Sequence, residues 1–248
     1  YEETSDIVGT SMSASKFKII TVEGDNVLDF LEEARLFAKV KKEKSEIISY
    51  VFKSSYWSVL SKLPKRSMET LYLPEKVLKG IINDIERFFN KEELYHRLGI
   101  PYKRNYLLEG IHGSGKTSLI FTLASYFDMD IAVMNFNLDV DDATFMKAVS
   151  ILPEKSILVL EDIDALFVER KMGDSNKSMI SFSGILNTLD GMGRKNGLIT
   201  FLTTNYKMKL DKALLRPGRI DKMMTFSYAK KEQIEKMFDV FFPSQGEK

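Results

Sequence analysis

The sequence predicts an α/β protein with a parallel sheet that carries helices on both faces. Between Tyr106 and Thr204, short apolar segments alternate with segments in which apolar residues recur at helical spacing. A glycine-rich loop follows the first of these strands, and a pair of carboxylates ends the third. In a parallel sheet such loops and strand ends meet at one edge, so a ligand site is expected there.

Four apolar runs have the length and composition of buried strands, and the predicted helices lie between them. The predicted strands are residues 106–109, 131–136, 157–161 and 198–204. The predicted helices begin at Thr117 or lie near residues 143–149 and 183–189. This order of elements is the main support for the predicted fold.

The first part of the chain predicts a small α+β module ahead of this sheet. Residues 17–22 and 47–52 have the composition of short strands, and an amphipathic helix is expected between them. Tyr56 and Trp57 are expected at a strand end or turn.

A linker over residues 64–67 is expected to separate the two parts. A further amphipathic helix is expected after Pro74, because proline suits the first turn of a helix, where its missing N–H has no partner. The two expected domains are residues 1–72 and residues 73–248.

Composition excludes several classes of protein. The 248 residues contain no cysteine, which excludes disulfides, thiolate zinc sites and cysteine nucleophiles. The formal net charge is +1, so no overall field attracts nucleic acid, and nucleic acid is not the expected partner. No apolar run reaches the length of a membrane-spanning helix. The sequence opens at Tyr1 rather than Met, so a membrane segment upstream of residue 1 is compatible with it.

The glycine-rich loop has the GxxxxGKT pattern of a phosphate-binding P-loop, with a strand before it and a helix after it. We expect Lys116 to reach the β- and γ-phosphates of a nucleotide and the Thr117 hydroxyl to bind Mg²⁺. The alternative is a glycine-rich turn that happens to precede a helix. The residues assigned to nucleotide binding are Gly110, Ile111, His112, Gly113, Ser114, Gly115, Lys116, Thr117 and Ser118.

Glu161 and Asp162 follow the third predicted strand and are candidates for metal binding and for activation of water. The segment resembles ATPases that carry two carboxylates followed by Ile-Asp, and this resemblance implies that Glu161 takes the metal position, together with Thr117. Asp162 then takes the position that polarises water, although its side chain is one methylene shorter than Glu. The division of labour between the two carboxylates stays open, and an acidic helix start is the alternative.

Three more residues complete the predicted catalytic set of Glu161, Asp162, Asn205, Arg216 and Arg219. Asn205 ends the last predicted strand, where an amide can contact the γ-phosphate or orient water; the alternative is a turn residue. The two arginines flank Pro-Gly and are spaced to present both guanidinium groups from one edge. Surface arginines paired with nearby aspartates are the alternative.

Together these motifs resemble the AAA family of ATPases, and within it the BCS-type proteins. That branch is typified by the mitochondrial inner-membrane chaperone that translocates the Rieske iron–sulfur protein during assembly of respiratory complex III. The similarity is strong from Leu73 to about Phe242 and weak between Gly24 and Leu73. The matching segments are GIPYKRNYLLEG (99–110), GSGKTSLI (113–120), LEDIDALF (160–167), SGILNTLDGM (183–192), TTN (203–205) and LLRPGRID (214–221).

The resemblance implies ATP hydrolysis, with ATP and Mg²⁺ as cofactors, by an AAA domain over residues 73–248 whose helical lid is short. It implies a homo-oligomeric ring, heptameric in this branch, in which Arg216 and Arg219 act on the neighbouring subunit's nucleotide. It also implies a protein substrate that can be folded. A typical member lies at the mitochondrial inner membrane; a soluble relative would be cytoplasmic.

The chain departs from the family at Ile111-His112, where Pro-Pro is usual, and His112 is expected to be a spacer rather than a general base. Residues 135–142 lack the aromatic–hydrophobic–glycine trio of unfoldase pore loops, which argues against threading of unfolded chains. Two other functions stay open: a nucleotide-binding scaffold with little turnover, and a nucleic-acid motor, which the near-neutral charge disfavours. A GTPase is not expected, because Asn176-Lys177 is followed by Ser-Met rather than by a base-reading Asp.

Overall fold

The computed structural model describes residues 46–53, 55–134, 140–164, 180–190 and 197–242. Contacts divide the chain into a unit of residues 1–43 and a unit of residues 44–248, and every described residue belongs to the second. The strand predicted at 17–22 and the helix expected after it lie outside the described residues, as does most of the predicted pore segment, residues 135–139.

The described residues form a seven-stranded sheet in the order β2-β1-β4-β5-β6-β3-β7. The strands are β1 (Glu46–Lys53), β2 (Tyr56–Pro64), β3 (Lys103–Gly110), β4 (Asp130–Met134), β5 (Ser156–Leu160), β6 (Leu198–Thr204) and β7 (Lys222–Phe226). Only the pair β1–β2 is antiparallel, and the other five pairs are parallel.

Six α-helices connect or follow these strands in the described part of the chain. They are α1 (Glu75–Phe89), α2 (Glu92–Arg97), α3 (Lys116–Tyr126), α4 (Asp142–Ser150), α5 (Phe182–Leu189) and α6 (Lys231–Phe241). The helix predicted after Pro74 is α1, and the helices predicted from the P-loop, near 143–149 and near 183–189 are α3, α4 and α5. No described helix has the length and hydropathy needed to cross a membrane.

The core lies on both faces of the sheet, because neighbouring side chains of a strand point to opposite faces. Tyr106 of β3 belongs to the cluster with α1 and α3, in which its ring stacks on Phe201 at 4.8 Å between centroids. Its neighbour Leu107 belongs to the cluster with α4 and α5, where Phe145 is fully buried. The predicted α/β fold, a parallel sheet covered on both faces, is therefore confirmed.

Two edge strands were not predicted from the sequence. Tyr56 and Trp57 begin the nine-residue strand β2 and so lie at a strand end, one of the two expected places, but the rest of β2 and all of β7 had no predicted counterpart. No residue of β2 is buried, and in the five-residue β7 buried Met224 and Phe226 alternate with exposed Met223 and Thr225, so neither strand has the continuous buried apolar run of the central strands. Because β1 pairs with β4, the strand predicted at 47–52 lies in the same sheet as the P-loop strand. The two-domain division at residues 72 and 73 stays a prediction.

Candidate functional site

The sheet order explains how residues distant in sequence form one site. Strands β5, β6 and β3 are neighbours and run parallel, so their carboxyl ends lie side by side. The phosphate loop follows β3, the acidic pair follows β5, and Asn205 follows β6. The site predicted at this edge is therefore assembled from three adjacent strand ends.

The phosphate loop needs its glycines for steric and conformational reasons. Gly110 has a φ of 149°, and a Cβ there would lie 2.1 Å from the carbonyl oxygen of Phe226. Gly115 has a φ of 96° and caps the eleven-residue helix α3. Ser114 closes the loop through its hydroxyl, which donates to the Ile111 carbonyl at 2.7 Å. The loop therefore leads its backbone N–H groups into a helix N-terminus, which suits a polyphosphate.

Lys116 is the buried cation of this loop, with 8% of its surface exposed. Its ammonium donates to the carbonyls of Gly110 at 2.7 Å and Ile111 at 3.0 Å, and to the side-chain oxygen of Asn205 at 2.8 Å. Burial lowers its pKa below the usual 10.5, and the charges of Asp162 and Asp164 oppose that shift. The hydrogen-bond partners of this ammonium are neutral carbonyl and amide oxygens, and a bound polyphosphate would provide a negatively charged partner for it.

The two carboxylates of the acidic pair have different partners. Thr117 donates its hydroxyl to Glu161 at 3.2 Å, whereas the Asn205 amide donates to Asp162 at 2.9 Å. Thr117 and Glu161 thus present two oxygens of the kind that bind Mg²⁺. Among the described residues, no group of three or more His, Asp or Glu side chains could hold a metal ion.

Asp164 is a residue of the site that the sequence did not single out. It is buried, and its Oδ1 accepts hydrogen bonds from the Thr204 hydroxyl at 2.8 Å and from the backbone N–H of Asn205 at 3.2 Å. Asp164 therefore fixes the end of β6 from which the Asn205 amide extends. A third carboxylate four residues after the end of β5 was the available signal, but its partner Thr204 lies 40 residues away.

A cavity of about 860 Å³ adjoins the phosphate loop. Residues 111–115 and Ser118 of the loop line it on one side, with His112 exposed. Tyr72, Val77 and Phe241 are among its apolar or aromatic lining residues. Its size and lining fit a nucleotide-sized ligand with an aromatic base. These apolar residues come from segments far apart in the chain, which is why the sequence did not reveal them.

Arg216 and Arg219 do not lie with the site residues at the carboxyl ends of β3, β5 and β6, and the two arginines have different surroundings. The Arg219 side chain donates to both oxygens of Asp190 at 3.1–3.2 Å and to the carbonyl of Ala213 at 2.9 Å. Arg216 is exposed, and its guanidinium has no hydrogen-bond partner among the described residues. Asn105, near the start of β3, donates to the Arg219 carbonyl at 2.7 Å. The arginine turn therefore packs at the end of β3 opposite to the phosphate loop.

Comparison with known proteins matches residues 106–228 to the family described as "ATPase family associated with various cellular activities (AAA)". The chain is 32% identical over 246 residues to the mitochondrial chaperone BCS1 of Bos taurus, covering 96% of this chain and 58% of that protein. It is 36% identical over 216 residues to the probable mitochondrial chaperone bcs1 of Schizosaccharomyces pombe, covering 86% and 48%. It is also 36% identical over 180 residues to an AAA-ATPase of Arabidopsis thaliana, covering 69% and 36%. The chain thus spans about half the length of the two chaperones.

Proposed function

The chain belongs to the AAA family of ATPases and is of the BCS1 type. From this membership we propose that it hydrolyses ATP as a homo-oligomeric ring, and that the ring remodels or translocates a protein. A ring is proposed because an arginine needed for the reaction has to come from a second copy of the chain.

The position of the arginine turn is the observation that carries this proposal. Asn105 holds the turn, and Gly110 at the phosphate loop lies five residues further along β3. At the rise of a β-strand this is roughly 16 Å, which is longer than an arginine side chain. Arg216 therefore cannot reach the phosphates bound by its own loop without a large rearrangement, whereas an adjoining subunit can offer its own Arg216 there.

Within one subunit the residues at the strand ends divide the work. Lys116 leaves the carbonyls of Gly110 and Ile111 to contact the phosphates, and Thr117 with Glu161 holds Mg²⁺. Asp162 orients and polarises the attacking water, and Asn205 links that carboxylate to Lys116 through two hydrogen bonds. ATP supplies the phosphoryl group that is transferred to water.

Arg216 of the next subunit stabilises the charge that spreads over the phosphoryl oxygens. We expect Arg219 to contribute by holding the turn, since its guanidinium is already bound to Asp190 and Ala213. A direct contact of Arg219 with the neighbour's nucleotide would require these bonds to break.

The substrate and location are proposed from the similar proteins. Relatives named as mitochondrial chaperones support a protein substrate and a mitochondrial location for this chain. The motifs that the chain shares with the BCS-type branch are the support for three finer proposals: a ring of seven subunits, a folded substrate and a place at the mitochondrial inner membrane.

Steady-state phosphate release from the full-length protein tests the activity. We expect Lys116→Ala to abolish turnover and to weaken ATP binding in calorimetry, whereas Arg216→Ala abolishes turnover with binding intact. Mixing these two variants should restore activity, because some interfaces then pair an intact phosphate loop with an intact arginine. An unchanged rate in Lys116→Ala would favour a nucleotide-binding scaffold, and no recovery at any mixing ratio would contradict the ring.

A further inference from the structure

Asn105 is a buried amide at the start of β3, with 1% of its surface exposed. Its side-chain nitrogen donates to the carbonyl of Arg219 at 2.7 Å and to the carbonyl of Leu189 at 3.2 Å. Its backbone exchanges two further bonds with Asp221, donating to the carboxylate at 2.8 Å and accepting from the N–H at 2.9 Å. Asn105 thus connects β3, the end of α5 and the arginine turn.

The turn that Asn105 holds is short. The backbone carbonyl of Arg216 accepts from the N–H of Arg219 at 3.1 Å, and Gly218 between them has a φ of 92°. Lys103, two residues before Asn105, donates its ammonium to the carbonyl of Gly218 at 2.6 Å. The carbonyls of Gly218 and Arg219 are thus both bound by side chains of β3. We infer that these two attachments set the direction in which the turn presents Arg216.

We propose that Asn105 is a positioning residue for the arginine that each subunit presents to the nucleotide of its neighbour. The proposal rests on the proposed function, because it assigns Asn105 to the active site of another subunit rather than to its own. Strand β3 then has two ends with separate roles. Gly110 opens the phosphate loop of the subunit's own site, and Asn105 anchors the arginine of the adjoining site.

The chemistry of the amide explains why asparagine is needed. Both carbonyls that it binds lie at turns, where their usual strand or helix partners are missing, and the asparagine NH₂ supplies two donors in one plane. An apolar side chain of similar volume would fill the space and leave both carbonyls unpaired. The turn would then shift to reach other donors, and a misplacement of about 1 Å can lower a rate about a hundredfold.

The test uses the full-length protein with the substitution Asn105→Leu and the matched control Thr200→Val. Thr200 lies beside Asn105 in the register of β3 and β6 and is also 1% exposed. Its hydroxyl makes no hydrogen bond to any described residue. We expect Asn105→Leu to lower kcat about tenfold to a hundredfold, with KM and the affinity for a non-hydrolysable ATP analogue unchanged. Thr200→Val should retain the parent kcat.

Mixing experiments distinguish a role in the neighbouring site from a role in folding. Asn105→Leu should regain activity when mixed with Lys116→Ala, because its own phosphate loop is intact, and should regain none when mixed with Arg216→Ala. Suppose that the mixture of Asn105→Leu with Lys116→Ala stays inactive, while the mixture of Arg216→Ala with Lys116→Ala regains activity. This result would overturn the role of Asn105 and leave the proposed ring in place. Failure of that control pair would overturn the proposed ring together with it.

A variant that unfolds is also informative. If Asn105→Leu shows no cooperative thermal transition, Asn105→Ser, whose hydroxyl can donate to one of the two carbonyls, replaces it in the same mixtures. Recovery of Asn105→Ser with Lys116→Ala would support the proposal. Loss of folding in both variants would overturn it, because the residue would then serve stability rather than the position of Arg216.

Discussion

The two arginines should respond differently to the same substitution. Arg216 is exposed and unpaired among the described residues, so Arg216→Ala should change the free energy of unfolding by no more than about 0.5 kcal/mol. The same substitution should lower kcat at least about 10³-fold, the range measured for arginines that stabilise phosphoryl transfer.

Arg219→Ala should cost stability as well as activity. It removes the paired hydrogen bonds to Asp190 and the bond to the Ala213 carbonyl. The Arg219 and Asp190 side chains are 21% and 39% exposed, so solvent screening reduces the loss to about 2 kcal/mol. In a domain of this size that corresponds to a fall in Tm on the order of 5 °C.

Differential scanning calorimetry and phosphate release, run on both variants, test this division. Asp190→Asn is the matched control, because it removes the charge that Arg219 pairs with and leaves Arg216 untouched. It should lower Tm in the same direction as Arg219→Ala. If Arg216→Ala lowered Tm as much as Arg219→Ala, or if Arg219→Ala left Tm unchanged, the assignment of Arg219 to the turn would be refuted.

Three other predictions concern the site within one subunit. Glu161→Gln should raise the Mg²⁺ concentration needed for half-maximal activity, whereas Asp162→Asn should lower kcat with that concentration unchanged; titration of Mg²⁺ in the phosphate-release assay separates the two. Burial lowers the pKa of Lys116 below 10.5, so its charge, and the ATP affinity that depends on it, should fall as pH rises toward that value. Calorimetry across this range should show the fall in the parent protein and a flat, weak affinity in Lys116→Met. Gly110→Ala should destabilise the fold by about 3 kcal/mol or more, because its Cβ would lie 2.1 Å from a backbone oxygen. Gly80→Ala, where a Cβ meets nothing within 4 Å, should stabilise the helix by up to about 1 kcal/mol in the same chemical denaturation experiment.

Sequence was sufficient where the information is local. The phosphate loop is contiguous, and its glycines, Lys116 and Thr117 are fixed by the conformation of one turn, so the pattern could be recognised directly. The buried strands β3, β5 and β6 are continuous apolar runs for the same reason.

Sequence was insufficient where a role depends on a partner far along the chain. Asp190 and Arg219 are 29 residues apart, and Asn105 and Arg219 are 114 apart, with no periodicity connecting them. The spacing of the two arginines therefore predicted equal roles, although their environments differ. The edge strands were missed because β2 buries none of its residues and β7 has only five residues, so neither is a continuous buried apolar run.

The order Glu161-Asp162 left open which carboxylate acts on water. The backbone and side-chain contacts of Asp162 favour Asp162 for this role. Asp162 has a φ of 47°, a left-handed conformation that aspartate adopts more readily than most non-glycine residues. Strand β6 maintains it, since the Thr203 hydroxyl accepts the N–H of Asp162 and the Thr203 carbonyl accepts that of Ile163, both at 3.0 Å. In this conformation the Asp162 carboxylate accepts a hydrogen bond from the Asn205 amide, whose oxygen accepts one from Lys116. Asp162 rather than Glu161 is thus connected to the lysine expected at the γ-phosphate, and we expect Asp162 to be the carboxylate that acts on water.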